Sequence, residues 1–531
     1  MNKNIIVFGG GLAGLTVCHE LINKGFNIIL VEKDNLLGGM ARSRREKNNV
    51  PSEHSWRGYA PFYKNTFNLI RTIPYKNVSV YENLSNPINF DTLQTKKLTY
   101  NLKDIIILIY YCLILFVSDK RRKENYKIKI NSLLKRKLTY NTHVYLMNFV
   151  CGPGYGLEKK DASFAHFFKF IGLTIFNSSK YKEKLNDRFI HNPSDAWHVM
   201  NQPTSEAWID PWSDYLKLNN VKILLNTDLI QLNYNNNLVE SCLIKNNLTN
   251  EIEELIFDEY ILCINPFEAE KILKISNMNK LYKYHYLLNI KTISNQPSFR
   301  LGFKKPIKFP KENIAFSFSY SNLDITLYPQ EQVWGKNIKL DDNNTIKSLW
   351  SGTCIDMYSK CKLYNKIGLE LTRTELINEI IYQILEYKIF QELLFDNNNF
   401  YLTKDDIIYT EIWYEWPTEK KWVNNIYNEK YRINNKTEFT NLYIGGAHTK
   451  TTINIWSMEG AIESGKSIAQ IIDIKYNNNS DIFLFKHKEN NFFKIFKFLD
   501  NVLYKLKLPN LVNLILFIII IFIIKYIIKY I

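Results

Sequence analysis

An α/β fold is what this sequence predicts, and three stretches predict it. A β-branched run, Asn4-Ile5-Ile6-Val7-Phe8, passes straight into Gly9-Gly10-Gly11-Leu12-Ala13-Gly14. A second run, Asn27-Ile28-Ile29-Leu30-Val31, ends on Glu32. Far downstream, Asn441-Leu442-Tyr443-Ile444 leads into Gly445-Gly446 and then a helix rich in small residues, opening at Ser457. Strands that alternate with helices across tight glycine turns indicate a parallel sheet with helices packed on it.

The first element pair carries the chemistry. Apolar residues at Leu12, Leu15, Cys18 and Ile22 keep to one helix face until Gly25 stops it. Strand, glycine turn, helix, strand and acid stand in the order of a dinucleotide site. Gly9 makes the turn, Gly11 lets the backbone approach a pyrophosphate, and Gly14 lets helix pack on strand. The helix N-terminus, at Leu12 and Ala13, offers N–H groups and partial positive charge to phosphate. Glu32 can accept hydrogen bonds from a ribose 2′-hydroxyl and disfavours a 2′-phosphate. Lys33, which follows it, is a further candidate cofactor contact.

The loop after Glu32 reads Lys33-Asp34-Asn35-Leu36-Leu37-Gly38-Gly39-Met40-Ala41-Arg42-Ser43. A glycine pair followed by Arg42 brings a rigid donor fork towards a second phosphate contact; the plainer reading is a flexible basic loop formed with Arg44 and Arg45. This segment resembles the GGxxxS/T motif of the flavin amine oxidase and phytoene desaturase superfamily. The resemblance implies FAD as cofactor, with Gly39 and Arg42 among its contacts.

Other segments extend the resemblance. Glu53-His54-Ser55-Trp56-Arg57-Gly58 stands where desaturase-like flavoproteins carry a segment lying along the flavin. His54 and Arg57 are candidate catalytic residues and Gly58 a cofactor contact; the alternative is that both side chains only orient loop backbone. The run 221–230 reads as alternating strand and places Leu229 where the family lays backbone beside the adenine, and Tyr260-Ile261-Leu262-Cys263-Ile264 ends at the nucleotide edge. In Ser298-Phe299-Arg300-Leu301-Gly302-Phe303, Arg300 occupies the strand where amine-oxidising members usually carry a lysine. Ser457-Met458-Glu459-Gly460-Ala461-Ile462-Glu463-Ser464-Gly465 is similar to the last motif of phytoene desaturases, carotenoid isomerases and hydroxysqualene-processing flavoproteins. Gly446 and Met458 are therefore further cofactor contacts, and His448 a third catalytic candidate. Ala447 departs from the family, which usually has an acid there; His448 or backbone would substitute, or flavin affinity would be reduced.

Composition narrows the partners. Lys and Arg number 68 against 52 Asp and Glu, which favours an anionic membrane surface over nucleic acid, since no nucleic-acid module is recognisable. The Asn, Ile and Lys bias also fits AT-rich coding. Cysteines 18, 112, 151, 242, 263, 354 and 361 are scattered without a CxxC pair, so reduced thiols and no metal site are expected. No secretory signal is read before the first strand.

Two apolar segments complete the chain. Residues 105–117, ahead of Asp119-Lys120-Arg121-Arg122, are too short to span; a buried helix is expected, with a monotopic membrane patch as the alternative. The stretch 125–215 reads as helical and aromatic, punctuated at Gly152-Pro153-Gly154. After a basic amphipathic stretch (486–507) and Pro509, residues 511–531 are long and apolar enough for one membrane helix, with Lys525 and Lys529 free to snorkel.

The expected architecture is an FAD-binding Rossmann-like domain in three segments (1–95, 215–272, 406–473), with an inserted mixed α+β substrate domain (96–214, 273–405). A basic linker (474–509) and a C-terminal transmembrane anchor (510–531) follow, leaving the body in the cytosol. The implied function is hydride removal from, or redox isomerisation of, a lipophilic small molecule of isoprenoid type. A flavin oxidase for a soluble amine and a catalytically inactive flavin-fold scaffold are the alternatives, the latter resting on Ala447. The sequence is silent on oligomeric state.

Overall fold

The computed structural model of the chain describes residues 3–55, 57–86, 88–91, 93, 101–118, 120–121, 124, 126–150, 161–176, 197–278, 296–311, 314–318, 321–334, 337–413, 416, 425–487 and 493–530. The Gly152-Pro153-Gly154 punctuation and Lys488 lie outside them.

A five-stranded parallel sheet organises the body, in the order Leu442–Ile444, Glu259–Leu262, Lys3–Phe8, Phe26–Val31, Lys222–Leu224. Ile5, Ile6, Val7 and Phe8 are all buried, because a parallel strand is covered on both faces. Val7 pairs with Leu30 on one side and Ile261 on the other. Being parallel, the strands end at one edge, at Phe8, Val31, Leu224, Leu262 and Ile444, which is where such sheets bind ligands. Strands from three stretches of sequence, 3–31, 222–262 and 442–444, build this edge.

Helices Leu12–Leu21 and Met458–Asn477 pack on this sheet and on one another. Small residues set their approach: a Cβ on Gly465 would lie 2.6 Å from the Ala13 carbonyl oxygen and 2.7 Å from Thr16 Cβ. The stop expected at Gly25 is real but not helical; the helix ends at Leu21 and Gly25 turns the chain with φ of +81°. The single run read at 221–230 is two strands, Lys222–Leu224 and Thr227–Asn235, broken where Asn226 takes φ of +50°. The second strand joins Leu238–Asn246 and Ile252–Leu255 in a three-stranded antiparallel sheet.

A second, six-stranded mixed sheet runs in the order Ile407–Ile412, Ser298–Phe303, Ser348–Cys354, Ile325–Pro329, Ile314–Ser317, Asn89–Asp91. Its own apolar core includes Phe316, Phe318, Trp350 and Phe390, the last on helix Lys388–Asn398.

One expectation is corrected. The 105–117 run is a helix, Leu102–Val117, but not a buried one: among its apolar residues only Leu115 and Val117 are buried, while Leu102, Ile105, Ile106, Ile109 and Leu113 face outward. Apolar composition specifies a non-aqueous neighbour without saying which. The inward side rests on helix Phe164–Phe176, with Tyr111 edge-on to Phe164 at 5.5 Å. Two further helices, Phe493–Lys505 and Leu511–Tyr530, pack beside it. Among the described residues, Leu511–Ile528 is the one stretch long and apolar enough to cross a membrane.

Candidate functional site

The glycine turn is built as its residue types require. Gly9 has φ of +100°, and a Cβ there would come 2.5 Å from the Cys263 carbonyl oxygen. A Cβ on Gly14 would fall on the Gly9 carbonyl. Gly11 is different: the nearest atom to its missing Cβ is Gly39 Cα at 3.9 Å, so its side-chain position opens onto a groove. Gly11 also caps helix Leu12–Leu21 without a side chain, leaving the N–H groups of Leu12, Ala13 and Gly14 uncapped by any hydroxyl or carboxylate. That is a cradle for phosphate oxygens.

Glu32 closes the groove. Its carboxylate is buried, and accepts from Gly10 N at 2.6 Å (Oε2) and from Asp34 N at 3.0 Å (Oε1). Burial raises its pKa, and the two backbone donors work against that rise. A carboxylate offers about four lone-pair sites; two hold protein, and the rest suit a ribose diol. Glu32 therefore also bolts the glycine turn to the following loop, a role its position in the sequence does not reveal. Lys33 is exposed, its carbonyl accepting from Asn247 Nδ2 at 3.3 Å. Thr227 N donates to the Glu32 carbonyl at 2.9 Å, which sets Leu229 two residues beyond, in the strand beside the groove.

The second glycine pair faces the first. Gly38 N donates to the Gly10 carbonyl at 2.8 Å, and a Cβ on Gly39 would come 3.1 Å from Gly11 Cα. Arg42 staples this loop, donating through one nitrogen to Asp34 Oδ2 at 2.7 Å and to the Leu36 carbonyl at 3.2 Å. Ser43 and Ser205 clasp each other: Ser43 N donates to Ser205 Oγ at 2.9 Å, and Ser205 N to Ser43 Oγ at 2.7 Å. Ser205 opens a π-helical turn, Ser205–Ile209, whose Ile209 packs over Gly38.

Arg57 donates to the Met40 carbonyl, tying the 53–58 segment to the glycine loop; Gly58 follows it, half-exposed. The His54 ring stands edge-on to Trp413, 5.9 Å between centroids. Glu53 is buried, accepts from Thr204 N at 2.7 Å, and lies within electrostatic reach of Arg57 and Arg300. Arg300 is wholly buried and donates to the Glu53 and Phe299 carbonyls and to Ser298 Oγ. Burial lowers its pKa, opposed chiefly by Glu411 and Glu53.

The second half of the site arrives from the far end of the chain. Gly445 N donates to the Leu262 carbonyl at 2.9 Å, and a Cβ on Gly445 would come 2.6 Å from Cys263 Sγ. Cys263 thus touches both Gly9 and Gly445, joining the two glycine motifs. Gly446, with φ of +130°, donates to Ser464 Oγ at 3.0 Å. Helix Met458–Asn477 opens with Ser457 Oγ capping Gly460 N at 3.1 Å, so half-buried Met458 sits at its electropositive first position. Glu459, buried, accepts from the backbone and side chains of Asn65 and Thr66, fixing the helix that follows Arg57.

His448 is enclosed, beside Trp456 at 6.5 Å. Burial, then the nearby Arg432, lowers its pKa to about 3. At neutral pH it is an uncharged imidazole, so any part in proton transfer is as the neutral ring.

Sequence reasoning missed what supports Ala447. Arg432 donates to the carbonyls of Ala447 (2.8 Å), Thr449 (3.2 Å) and Asn454 (2.9 Å) and pairs with Glu429 at 2.7 Å. His166 Nε2 meets the same Glu429 oxygen at 2.8 Å. Asn435 Nδ2 adds bonds to the Ile444 carbonyl, Thr449 and Ser464. The loop is held from behind by a guanidinium, with no acid at position 447. Only the three-residue spacing of Glu429 and Arg432 hinted at it. Among the described residues no group of three or more His, Cys, Asp or Glu is placed to hold a metal ion.

Comparison with known proteins agrees with this geometry. Residues 7–73 match the NAD(P)-binding Rossmann-like domain family. In fold the chain is similar to a putrescine oxidase double mutant (TM-score 0.62, 9% identity, 89% of this chain and 99% of that one). It is similar to cyclohexylamine oxidase from Brevibacterium oxydans IH-35A (0.57, 11%, 90% and 100%). It is also similar to a candidate protoporphyrinogen oxidase from Exiguobacterium sp. 255-15 (0.55, 14%, 90% and 99%). No curated protein matches the chain in sequence.

Proposed function

We propose that this chain, which shares its fold with flavin-type amine oxidases across most of its length, is an FAD-dependent oxidoreductase working on a lipophilic small molecule at a membrane. The observation that carries the reading is the meeting of two glycine motifs, from opposite ends of the sequence, on Cys263 at the carboxyl edge of one parallel sheet. A mononucleotide or NAD fold needs the first motif alone. The second, a glycine loop with a helix N-terminus beyond it, suits a longer cofactor carrying an isoalloxazine ring.

Bound there, FAD would supply hydride-accepting chemistry. The protein's own part is binding and orientation. The N-terminus of helix Leu12–Leu21 and Gly11 hold the pyrophosphate, Glu32 the ribose, and strand 227–235 flanks the adenine. The N-terminus of helix Met458–Asn477 sets a positive potential at the ring's end of the site. His54, Arg57 and the wholly buried Arg300 form the polar wall on the 53–58 side, with Trp413 packed edge-on to His54.

The similar solved proteins favour a second reading, oxidation of an amine. Against it, the buried strand position carries Arg300 where amine-oxidising members usually carry a lysine. We further propose that Leu511–Tyr530 spans the membrane with the body on the cytosolic side; its length and hydropathy support this.

The test is direct. The purified full-length protein should be yellow, with absorbance that bleaches on dithionite, and should release FAD on denaturation. A colourless protein that takes up no added FAD would overturn the proposal. Oxidation of putrescine or cyclohexylamine by the yellow protein would move the assignment to the amine reading.

A further inference from the structure

Two body helices are amphipathic the wrong way round for water. Leu102–Val117 exposes Leu102, Ile105, Ile106, Ile109 and Leu113; Phe493–Lys505 and the turn after it expose Ile495, Phe498, Leu499, Val502 and Leu506. Both sets fall at i, i+3, i+4, i+7 and i+11, one continuous stripe on each helix. Exposure reaches 70% at Leu102, 71% at Ile495 and 68% at Phe498. Each helix has a single acid, Asp104 and Asp500, and both are 0% exposed. Asp104 accepts from Thr139, and Asp500 accepts from Ser118 Oγ, from Arg121 Nε at 3.3 Å and from Leu511 N at 2.9 Å. Acids inward and isoleucines outward invert the usual arrangement of a water-facing helix.

The stripes are continuous with the candidate span. Tyr110 OH donates to Asn513 Oδ1 at 2.7 Å, and Asn513 is in the first turn of Leu511–Tyr530. At a rise of about 1.5 Å per residue, that contact sets the middle of helix Leu102–Val117 within roughly one turn of the depth at which the span begins. Arg121 donates to the Leu508 carbonyl at 2.7 Å, and Phe116 stacks on Phe493 at 5.5 Å. Exposed lysines border the stripes, Lys103, Lys120, Lys494, Lys505 and Lys507, with neither helix offering an exposed acid. An apolar stripe edged with cations matches the boundary of an anionic leaflet.

We infer that the outward stripes of Leu102–Val117 and Phe493–Lys505 lie in the leaflet that Leu511–Tyr530 enters, so that three elements embed the body where a tether would use one. The inference rests on the spanning reading of Leu511–Tyr530.

The test uses the full-length chain in phosphatidylcholine vesicles containing phosphatidylserine. Cys112 and Cys151 are replaced by serine; the remaining cysteines, 18, 242, 263, 354 and 361, are buried. Single sites Ile106→Cys, Ile109→Cys, Phe498→Cys, Ile520→Cys and Leu248→Cys are labelled with bimane, Leu248 being an exposed apolar residue of a different element, in the turn between two strands of the small antiparallel sheet. Labels at 106, 109 and 498 should be quenched by a nitroxide on the lipid near the headgroup, and several-fold less by aqueous iodide than the label at Leu248. Iodide quenching equal to that at Leu248, with Ile520 still quenched by lipid, would overturn the inference while leaving the span in place. Protection from both quenchers at 106, 109 and 498 would also overturn it, in favour of a protein partner or second copy on these faces. Absence of lipid quenching at Ile520 would remove the span, and the inference with it.

Discussion

Removing the Glu32 carboxylate separates its two roles. In the free protein it accepts from Gly10 N at 2.6 Å and Asp34 N at 3.0 Å inside a site that is nearly closed to water. Hydrogen bonds to a charged acceptor contribute roughly 1.5–3 kcal/mol each. Burial of the charge opposes them, as the raised pKa of Glu32 records. Glu32→Ala should therefore destabilise the flavin-free protein by about 2–4 kcal/mol, less than the two bonds summed, since the burial penalty also disappears. It should cost a further ~1.5–3 kcal/mol in FAD binding for the lost ribose bonds, or about ten- to a hundredfold in Kd. Denaturant unfolding of the flavin-stripped protein reads the first effect, and fluorescence titration of the same protein with FAD reads the second. Stability equal to wild type would refute the bolt between glycine turn and loop. An unchanged Kd in a folded variant would refute the ribose contact.

Four further outcomes follow from named contacts. Gly465→Ala drives a Cβ to 2.6 Å from the Ala13 carbonyl; it should cost about 1–3 kcal/mol and weaken flavin retention, whereas Gly25→Ala, with nothing within 4 Å, should cost only backbone strain; equal effects in a thermal melt would contradict the close approach. His448 has its pKa lowered from 6.5 to about 3, so across that window the unfolded chain binds the extra proton; stability should fall with falling pH by about 1.4 kcal/mol per unit from this group, and His448→Gln should flatten that slope in unfolding curves. Glu429 moves from 4.5 to about 2, so its pairing with Arg432 and His166 is complete above pH 4.5 and is lost towards pH 2; Glu429→Gln should remove that acid-limb loss while lowering stability at neutral pH. Asp500→Ala should leave the protein in the membrane fraction but speed protease cleavage around residues 506–510, because it removes the carboxylate joining Ser118, Arg121 and Leu511; unchanged cleavage would show that the tail is held elsewhere.

Legibility in the sequence followed locality. The strand–turn–helix order at Gly9–Gly14 and the helix opening at Ser457 depend mainly on near neighbours in sequence, and these elements fall where the pattern implies. Gly465 was legible as a small residue, but its partner Ala13 lies at the other end of the chain. For the support of Ala447 the sequence offers only the Glu429–Arg432 spacing, since His166 comes from a distant segment and the residue types alone suggest an exposed ion pair. Helix Leu102–Val117 shows the limit most clearly. Its apolar run reads as helical, but which face turns inward depends on where Asp104 and Tyr110 find partners, at Thr139 and Asn513. Such information is tertiary.

A separate set of contacts joins helix Leu102–Val117 to the second glycine loop. Helix Phe164–Phe176 meets Tyr111 through Phe164 and Phe168, and its Gly172 admits Phe116, where a Cβ would come 2.7 Å from the ring. From the same helix, His166 reaches Glu429 and Lys169 Nζ donates to the Thr452 carbonyl at 2.8 Å. Glu429 holds Arg432, and Arg432 holds the carbonyls of Ala447 and Thr449. One helix therefore sets both the position of the outward apolar stripe and the backbone of the second glycine motif. A displacement of Leu102–Val117 against Phe164–Phe176 would have to be absorbed either in close aromatic packing or in the buried Glu429–Arg432 pair and its His166 hydrogen bond behind Ala447, and both resist small deformations. This coupling gives a physical reason for a buried, charge-paired brace at Ala447. Through Glu429 and His166, Arg432 fixes the loop to helix Phe164–Phe176, on which Leu102–Val117 rests.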